Sequence, residues 1–340
     1  MSKSIMKLNN IYRSFKKGRT VIPVLKDINM DLKEQEYICF VGESGCGKTT
    51  LGKIITGLLK PSSGELIYQG KDVAKLKGSD YTDYRRGVQI IHQDPYASLN
   101  PTHTIFDILS FPLYRHKVVK GRKAAREKVS ELLTSVGLTP VAAVIDKYPH
   151  QLSGGQRQRV GIARALTTNP KVIVADESVS MVDVSIRISI LHMMMKMREE
   201  LGSTMIFITH DLALAKYFAW KGRIAVMYLG RIVEIGTTPE ITQNPQHPYT
   251  KSLLSALPEP DPDASKRKEK IQLRSEDIPR LTELPPGCPF HPRCPWFVEG
   301  VCDGEIPVLA DVPDSDSNAQ VACTPLTTGK GLNLYASTTS

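Results

Sequence analysis

No stretch of this 340-residue chain approaches the roughly 18 consecutive apolar residues that a membrane-spanning helix needs. The N-terminal segment MSKSIMKLNN has no apolar core of the kind that a secretion signal carries, so the expected compartment is the cytoplasm. Internal repeats are absent. Charge is dispersed, apart from KRKEK at Lys266 to Lys270. The eight histidines form no cluster with metal-ligand spacing. Among the six cysteines there is no tight C-x2–4-C pair, which weighs against a zinc site. Disulfides are not expected in that compartment.

What is present bounds the answer further. The length suits about two domains, or one large domain with an appendage. Hydrophobic residues make up 41% of the chain, enough for a substantial core and too many for wholesale disorder. The net charge of +9 permits nucleic acid, an anionic membrane surface or a phosphorylated ligand as partner. Its diffuse distribution is that of a solvated basic surface.

Up to about residue 255, short apolar strands alternate with helical patterns, the sign of a mostly parallel α/β sheet. YICFVG is a strand that runs into a glycine-rich turn. After it, Leu51, Ile54, Ile55, Leu58 and Leu59 repeat at helical spacing. TMIFITH is a second strand, ending on His210, and IAVMYLGRIVEIG reads as a hairpin turning at Gly230. From Tyr96 to about Gln158 the pattern becomes helical, with GRKAAREKVSELLTSVGL amphipathic, so this region is expected to be an inserted helical subdomain. The methionines of LHMMMKMREELG are read as core filler. Residues 256–286, with LPEPDPDASKRKEK, have linker composition, and a cysteine-bearing extension is expected over 287–340.

GESGCGKTT fits G-x-x-x-x-G-K-[ST] from Gly42 to Thr49, placed between a strand and a helix as a phosphate loop requires. Gly42, Gly45 and Gly47 let the backbone turn and aim N–H groups at phosphate, with Ser44, Cys46 and Thr50 in the same loop. The helix N-terminus near Lys48 adds its positive dipole end. Lys48 is expected on the β- and γ-phosphates, and the Thr49 hydroxyl on Mg²⁺. Two adjacent carboxylates end the buried run VIVADE. Such a pair is costly unless chemistry needs it. Asp176 is positioned to help hold Mg²⁺, and Glu177 to polarise an attacking water.

LSGGQRQR, from Leu152 to Arg159, together with the phosphate loop, resembles the signature of ATP-binding cassette (ABC) ATPases. The resemblance covers residues 1 to about 255. It implies an α/β P-loop NTPase core with an antiparallel β subdomain and the inserted helical subdomain at about 96–158, plus the small cysteine-bearing extension. It implies that Gln93 in IHQDPYASLNP is the Q-loop glutamine touching Mg²⁺. SMVD, Ser180 to Asp183, would be the D-loop, and His210 in ITHD the switch histidine on the γ-phosphate. Phe15 in IYRSF is the choice for the aromatic on adenine, with Tyr12 the weaker candidate. Ser153, Gly154, Gly155 and Gln156 would offer N–H donors and a helix dipole to ATP held by an opposite subunit. Most relatives carry proline where Ser178 stands and alanine–leucine where Met181–Val182 stand. Proline would fix φ after the base, whereas serine leaves that turn freer.

The tail narrows the resemblance. NPQHPYTKSLLSALPEP and PPGCPFHPRCPW, within about 244–323, resemble the C-terminal extension of oligopeptide/dipeptide importer ATPases, a subfamily that also includes nickel and oligosaccharide importers. LSGGQRQRVGIARAL looks like the second ATPase of the usual pair. The implied partners are a non-identical ATPase, two transmembrane permease subunits and an extracellular substrate-binding protein, with no nucleic acid. The chain would then sit peripherally on the cytoplasmic face of the membrane. Cys288, Cys294, Cys302 and Cys323 have irregular spacing, and two precede proline. That suits a [4Fe–4S] cluster, as in some relatives, with zinc or free thiols as alternatives. Peptide and oligosaccharide both remain open as cargo, the latter because SMVD resembles sugar-importing members. The competing function is a soluble ABC-type ATPase acting on nucleic acid or ribosomes.

Overall fold

The computed structural model describes residues 3–180, 182–257, 270–313 and 318–330. A long antiparallel hairpin, β1 (Ser4–Lys17) and β2 (Thr20–Lys33), comes first. The fully buried run Tyr37–Val41 follows as β3 and leads through the glycine-rich loop into helix α1 (Lys48–Ile55). β4 (Ser63–Tyr68) pairs antiparallel with β1, and β5 (Lys71–Asp72) pairs with β4, giving a four-stranded sheet ordered β2-β1-β4-β5. The short helix α2 (Gly78–Gly87) then leads into β6 (Val88–Ile91).

Residues 95–166 supply the helical insertion. It comprises α3 (Pro95–Ser98), α4 (Ile105–Arg115), α5 (Arg122–Ser135) and α6 (Gly154–Leu166). Each of α4 and α6 opens on a reciprocal capping box, Thr104 with Asp107 and Ser153 with Gln156. The amphipathic α5 buries Ala125, Val129, Leu132 and Leu133 and turns its charged residues outward.

The larger sheet continues with β7 (Val172–Asp176), helix α7 (Val184–Leu201), β8 (Thr204–Thr209), helix α8 (Leu212–Phe218), β9 (Arg223–Tyr228) and β10 (Arg231–Thr237). Strands β9, β3, β8, β7 and β6 are parallel neighbours in that order. Their near-continuous burial follows from cover on both faces. Alternation along β3 divides the core. Ile38 and Phe40 face the smaller sheet and α1, whereas Cys39 and Val41 face the helical side. On α7, Met194 and Met197 are buried in the helical-side core, as the methionine run predicts.

β9 and β10 form the expected hairpin. Leu229 and Gly230 both have positive φ, 43° and 86°. A side chain at Gly230 would meet the Val24 carbonyl oxygen at 2.3 Å, so glycine is required there.

After α9 (Thr238–Gln243) and α10 (Pro248–Ser255), the tail does not stand apart. Residues 270–286 lack regular structure, yet Leu273, Leu281 and Leu284 pack on the helical-side core. Most of the proline-rich, charged segment lies outside the described residues. Further on, β11 (Ala310–Asp311) and β12 (Gln320–Val321) extend the large sheet, with Val321 opposite Glu234 of β10. Helix α11 (Thr324–Thr328) follows. No helix among the described residues is long and apolar enough to cross a membrane.

Candidate functional site

The phosphate loop folds as its sequence demands. Gly47 caps α1 with φ of 106°, and a Cβ there would lie 2.7 Å from Leu25 Cδ2. Lys48 is 4% exposed, and its Nζ donates to the carbonyls of Gly42 (2.7 Å) and Glu43 (2.9 Å) inside the loop. Cys46 is buried beside it, Sγ to Nζ 3.7 Å, and burial pushes its thiol pKa up against the pull of the ammonium. Val24, Ser44, Gly45, Gly47, Lys48, Thr49, Thr50, Gln93 and Glu177 line one cleft of about 220 Å³.

β3, α1, β6 and β7 bring the expected groups to that cleft. The Thr49 hydroxyl donates to Asp176 Oδ1 at 2.9 Å. Asp176 ends β7 almost fully buried. Burial raises its pKa, partly offset by the Thr49 hydrogen bond. Glu177 sits one residue further with φ of 42°, its N–H bonded to the Ile208 carbonyl at 2.9 Å. Gln93 Nε2 donates to Glu177 Oε2 at 2.9 Å, and His210 Nδ1 lies 3.4 Å from Oε1. Two residues far apart in sequence, Gln93 and His210, thus converge on one carboxylate. A hydroxyl and a carboxylate oxygen side by side are hard donors of the kind Mg²⁺ takes, so Thr49 and Asp176 fit that ion.

Other expected residues stand elsewhere. Ser153, Gly154, Gly155 and Gln156 open α6 and are not among the residues lining the cleft. Phe15 lies on the four-stranded sheet, 37% exposed, with the Arg13 guanidinium 4.6 Å from its ring centroid, and it too does not line the cleft. Tyr12 is similarly exposed at 38%. In the expected D-loop, Ser180 bonds back to the Glu177 carbonyl (Oγ to O 2.8 Å), and Arg187 holds the Ser180 and Val182 carbonyls. Asp183 precedes α7, and Met181 lies outside the described residues. Ser178 is 1% exposed, and its hydroxyl reaches only the Met194 sulfur, at 3.9 Å.

Cys288, Cys294, Cys302 and Cys323 line one small cavity with His247 and His291. All four are free thiols. Burial raises their pKa, to about 11 for Cys288 and about 12 for Cys294, against backbone N–H groups aimed at the sulfurs. The expectation of a metal-ion site there meets a correction. Among the described residues, no group of three His, Cys, Asp or Glu side chains is arranged to hold a metal ion. This leaves both the expected iron–sulfur cluster and its zinc alternative without support from the arrangement of the side chains.

Two features escaped the sequence reading. Arg157 of α6 stacks on Tyr96 of α3, 3.5 Å from the ring centroid, and so ties the signature helix to the segment after Gln93. Arg293 of the tail grips Glu43 of the phosphate loop.

A phosphate loop entering a helix, a buried carboxylate on its threonine, and a glutamate held by a glutamine and a histidine define a P-loop ATPase cassette. Comparison with known proteins agrees. The family described as ABC transporter matches residues 25–180, and the oligopeptide/dipeptide transporter C-terminal region matches 233–302. A probable peptide ABC transporter ATP-binding protein of Sinorhizobium fredii is 39% identical over 95% of this chain and 90% of its own length. The oligopeptide transport ATP-binding protein OppF of Salmonella typhimurium is 45% identical over 79% of each chain. Among solved structures, a dimeric ATP-binding cassette in a post-hydrolysis state with ADP and Pi matches with a TM-score of 0.62. It is 31% identical and covers 69% of this chain and 99% of its own. The chain belongs to the ATP-binding subunits of ABC transporters, and it is an ATPase.

Proposed function

We propose that this chain powers peptide import from the cytoplasmic face of the membrane. It would do so paired with a non-identical ATPase, on two permease subunits served by an extracellular binding protein. The observation that carries the hydrolytic part is the convergence of Gln93 and His210 on Glu177, beside the Thr49–Asp176 pair. Cargo is supported by the peptide and oligopeptide names of the relatives and by the match of the tail region. The oligosaccharide and nucleic-acid readings have no such support.

In this mechanism Lys48 and the loop N–H groups hold the β- and γ-phosphates. Thr49 and Asp176 would hold Mg²⁺, with Gln93 beside them, and the ion would supply charge neutralisation on the phosphates. Glu177 accepts a proton from the attacking water at its carboxylate, oriented by the Gln93 amide. His210, more than half exposed at the rim, is placed to contact the γ-phosphate. Because Ser153 to Gln156 open a helix away from the chain's own cleft, they serve the nucleotide of the partner ATPase. Adenine is expected on the exposed Phe15 ring, one face of which carries the Arg13 guanidinium.

The four tail thiols are read as holders of a structural [4Fe–4S] cluster. This is supported by their backbone N–H donors. Purification without oxygen should give broad visible absorption and stoichiometric iron, and a colourless protein would remove the cluster. Recovery of the full chain with membrane permeases tests the transport assignment. Recovery with RNA or ribosomes, and no membrane protein, would overturn it.

A further inference from the structure

Arg293 stands on the loop between Cys288 and Cys294, 250 positions after Glu43, the second residue of the phosphate loop. Its Nη1 donates to Glu43 Oε2 at 3.0 Å and to Oε1 at 3.1 Å, and Nη2 donates to Oε1 at 3.1 Å. Nη1 also reaches the Tyr228 hydroxyl at 3.3 Å. The guanidinium is buried, with Arg293 5% exposed. Glu43 is held on its backbone as well. Its N–H donates to the Tyr249 hydroxyl of α10 at 2.9 Å, and its carbonyl accepts from Lys48 Nζ at 2.9 Å.

The loop carrying Arg293 is itself fixed. His291 N–H bonds to the Cys288 carbonyl at 3.0 Å, Arg293 N–H to Phe290 at 2.9 Å, and the Arg293 carbonyl accepts from Arg274 N–H at 3.1 Å. A planar two-pronged donor on a carboxylate sets orientation as well as distance. Arg293 therefore fixes the residue whose carbonyl holds the phosphate-loop lysine.

We propose that Arg293 is a positioning residue for ATP: through Glu43 the tail sets the shape of the phosphate loop. The proposal rests on the ATP site read above. It assigns the tail a part in nucleotide binding in addition to any part in holding a cluster.

The test is ATP affinity of the full chain with Mg²⁺, measured by displacement of a fluorescent ATP analogue, with thermal melting followed in parallel. Arg293→Lys keeps the charge but loses the fork, and should bind ATP about tenfold more weakly. Arg293→Met and Glu43→Gln should each weaken ATP binding and also lower the melting temperature, because the first leaves the part-buried Glu43 carboxylate without its cation and the second leaves the buried Arg293 without its anion. The double variant removes both charges and should regain melting temperature without regaining ATP affinity. A double variant that binds ATP like the wild type would mean that the pair only stabilises the fold, which overturns the proposal. So would wild-type affinity in folded Arg293→Lys. Failure of the wild-type chain itself to bind ATP would instead refute the ATP-site reading.

Discussion

Glu177 carries the account at the scale of single residues. Its backbone is left-handed and bonded to Ile208, and Gln93 and His210 contact its carboxylate. Glu177→Gln should keep ATP affinity within a few-fold and cut turnover by about 10² or more, the range of a lost general base. Normal hydrolysis by that variant would remove the assignment. Ser178, next to it, is buried, and its hydroxyl finds only the Met194 sulfur. Since that acceptor is weak, Ser178→Ala should change unfolding free energy by less than about 1 kcal/mol. These residues were legible in the sequence because each belongs to a local motif of fixed spacing. The Arg293–Glu43 pair was not, since no local pattern links positions 250 apart. Phe15 was chosen from a motif that says nothing of the cleft's walls, and Val24 lines the cleft unannounced.

Among the elements, the parallel strands were the most legible part. Both faces of β3, β7 and β8 are covered, so their sequences are continuous apolar runs. The β9–β10 hairpin was equally plain from its turn at Gly230. The β1–β2 hairpin was obscured, because its register shifts several times and breaks the alternation that marks a strand. The strands β11 and β12 have two residues each, too few to carry a period. Where the tail joins the sheet, Glu234 of β10 is buried and accepts the N–H groups of Gln246 (2.7 Å) and His247 (3.1 Å) before α10. Burial raises its pKa from 4.5 to about 7, against those hydrogen bonds. A carboxyl raised in the folded state favours folding below pH 4.5, and that contribution is lost as pH rises through about 7. The melting temperature of wild type should therefore fall, relative to Glu234→Gln, between pH 5 and pH 8. Parallel curves for the two proteins would mean that Glu234 does not titrate in that window.

For the whole molecule, the residues that open the signature helix are not among those lining the chain's own cleft, and in the proposed assembly they complete the ATP site of a partner chain. This expectation was already legible in the LSGGQRQR motif, through its resemblance to the signature of ABC ATPases. Ser153→Ala should leave the chain's own ATP affinity unchanged while weakening ATP-dependent association with the partner ATPase, measured by sedimentation. A loss of own-site affinity with association intact would reverse that assignment. In the proposed transporter, ATP turnover is coupled to peptide uptake. Its most direct test is the rate of ATP hydrolysis by the complete transporter in proteoliposomes, with its binding protein present and defined peptides or short oligosaccharides added. Peptide should raise the rate several-fold, and oligosaccharide should not. Stimulation by oligosaccharide alone, or a rate indifferent to both, would contradict it.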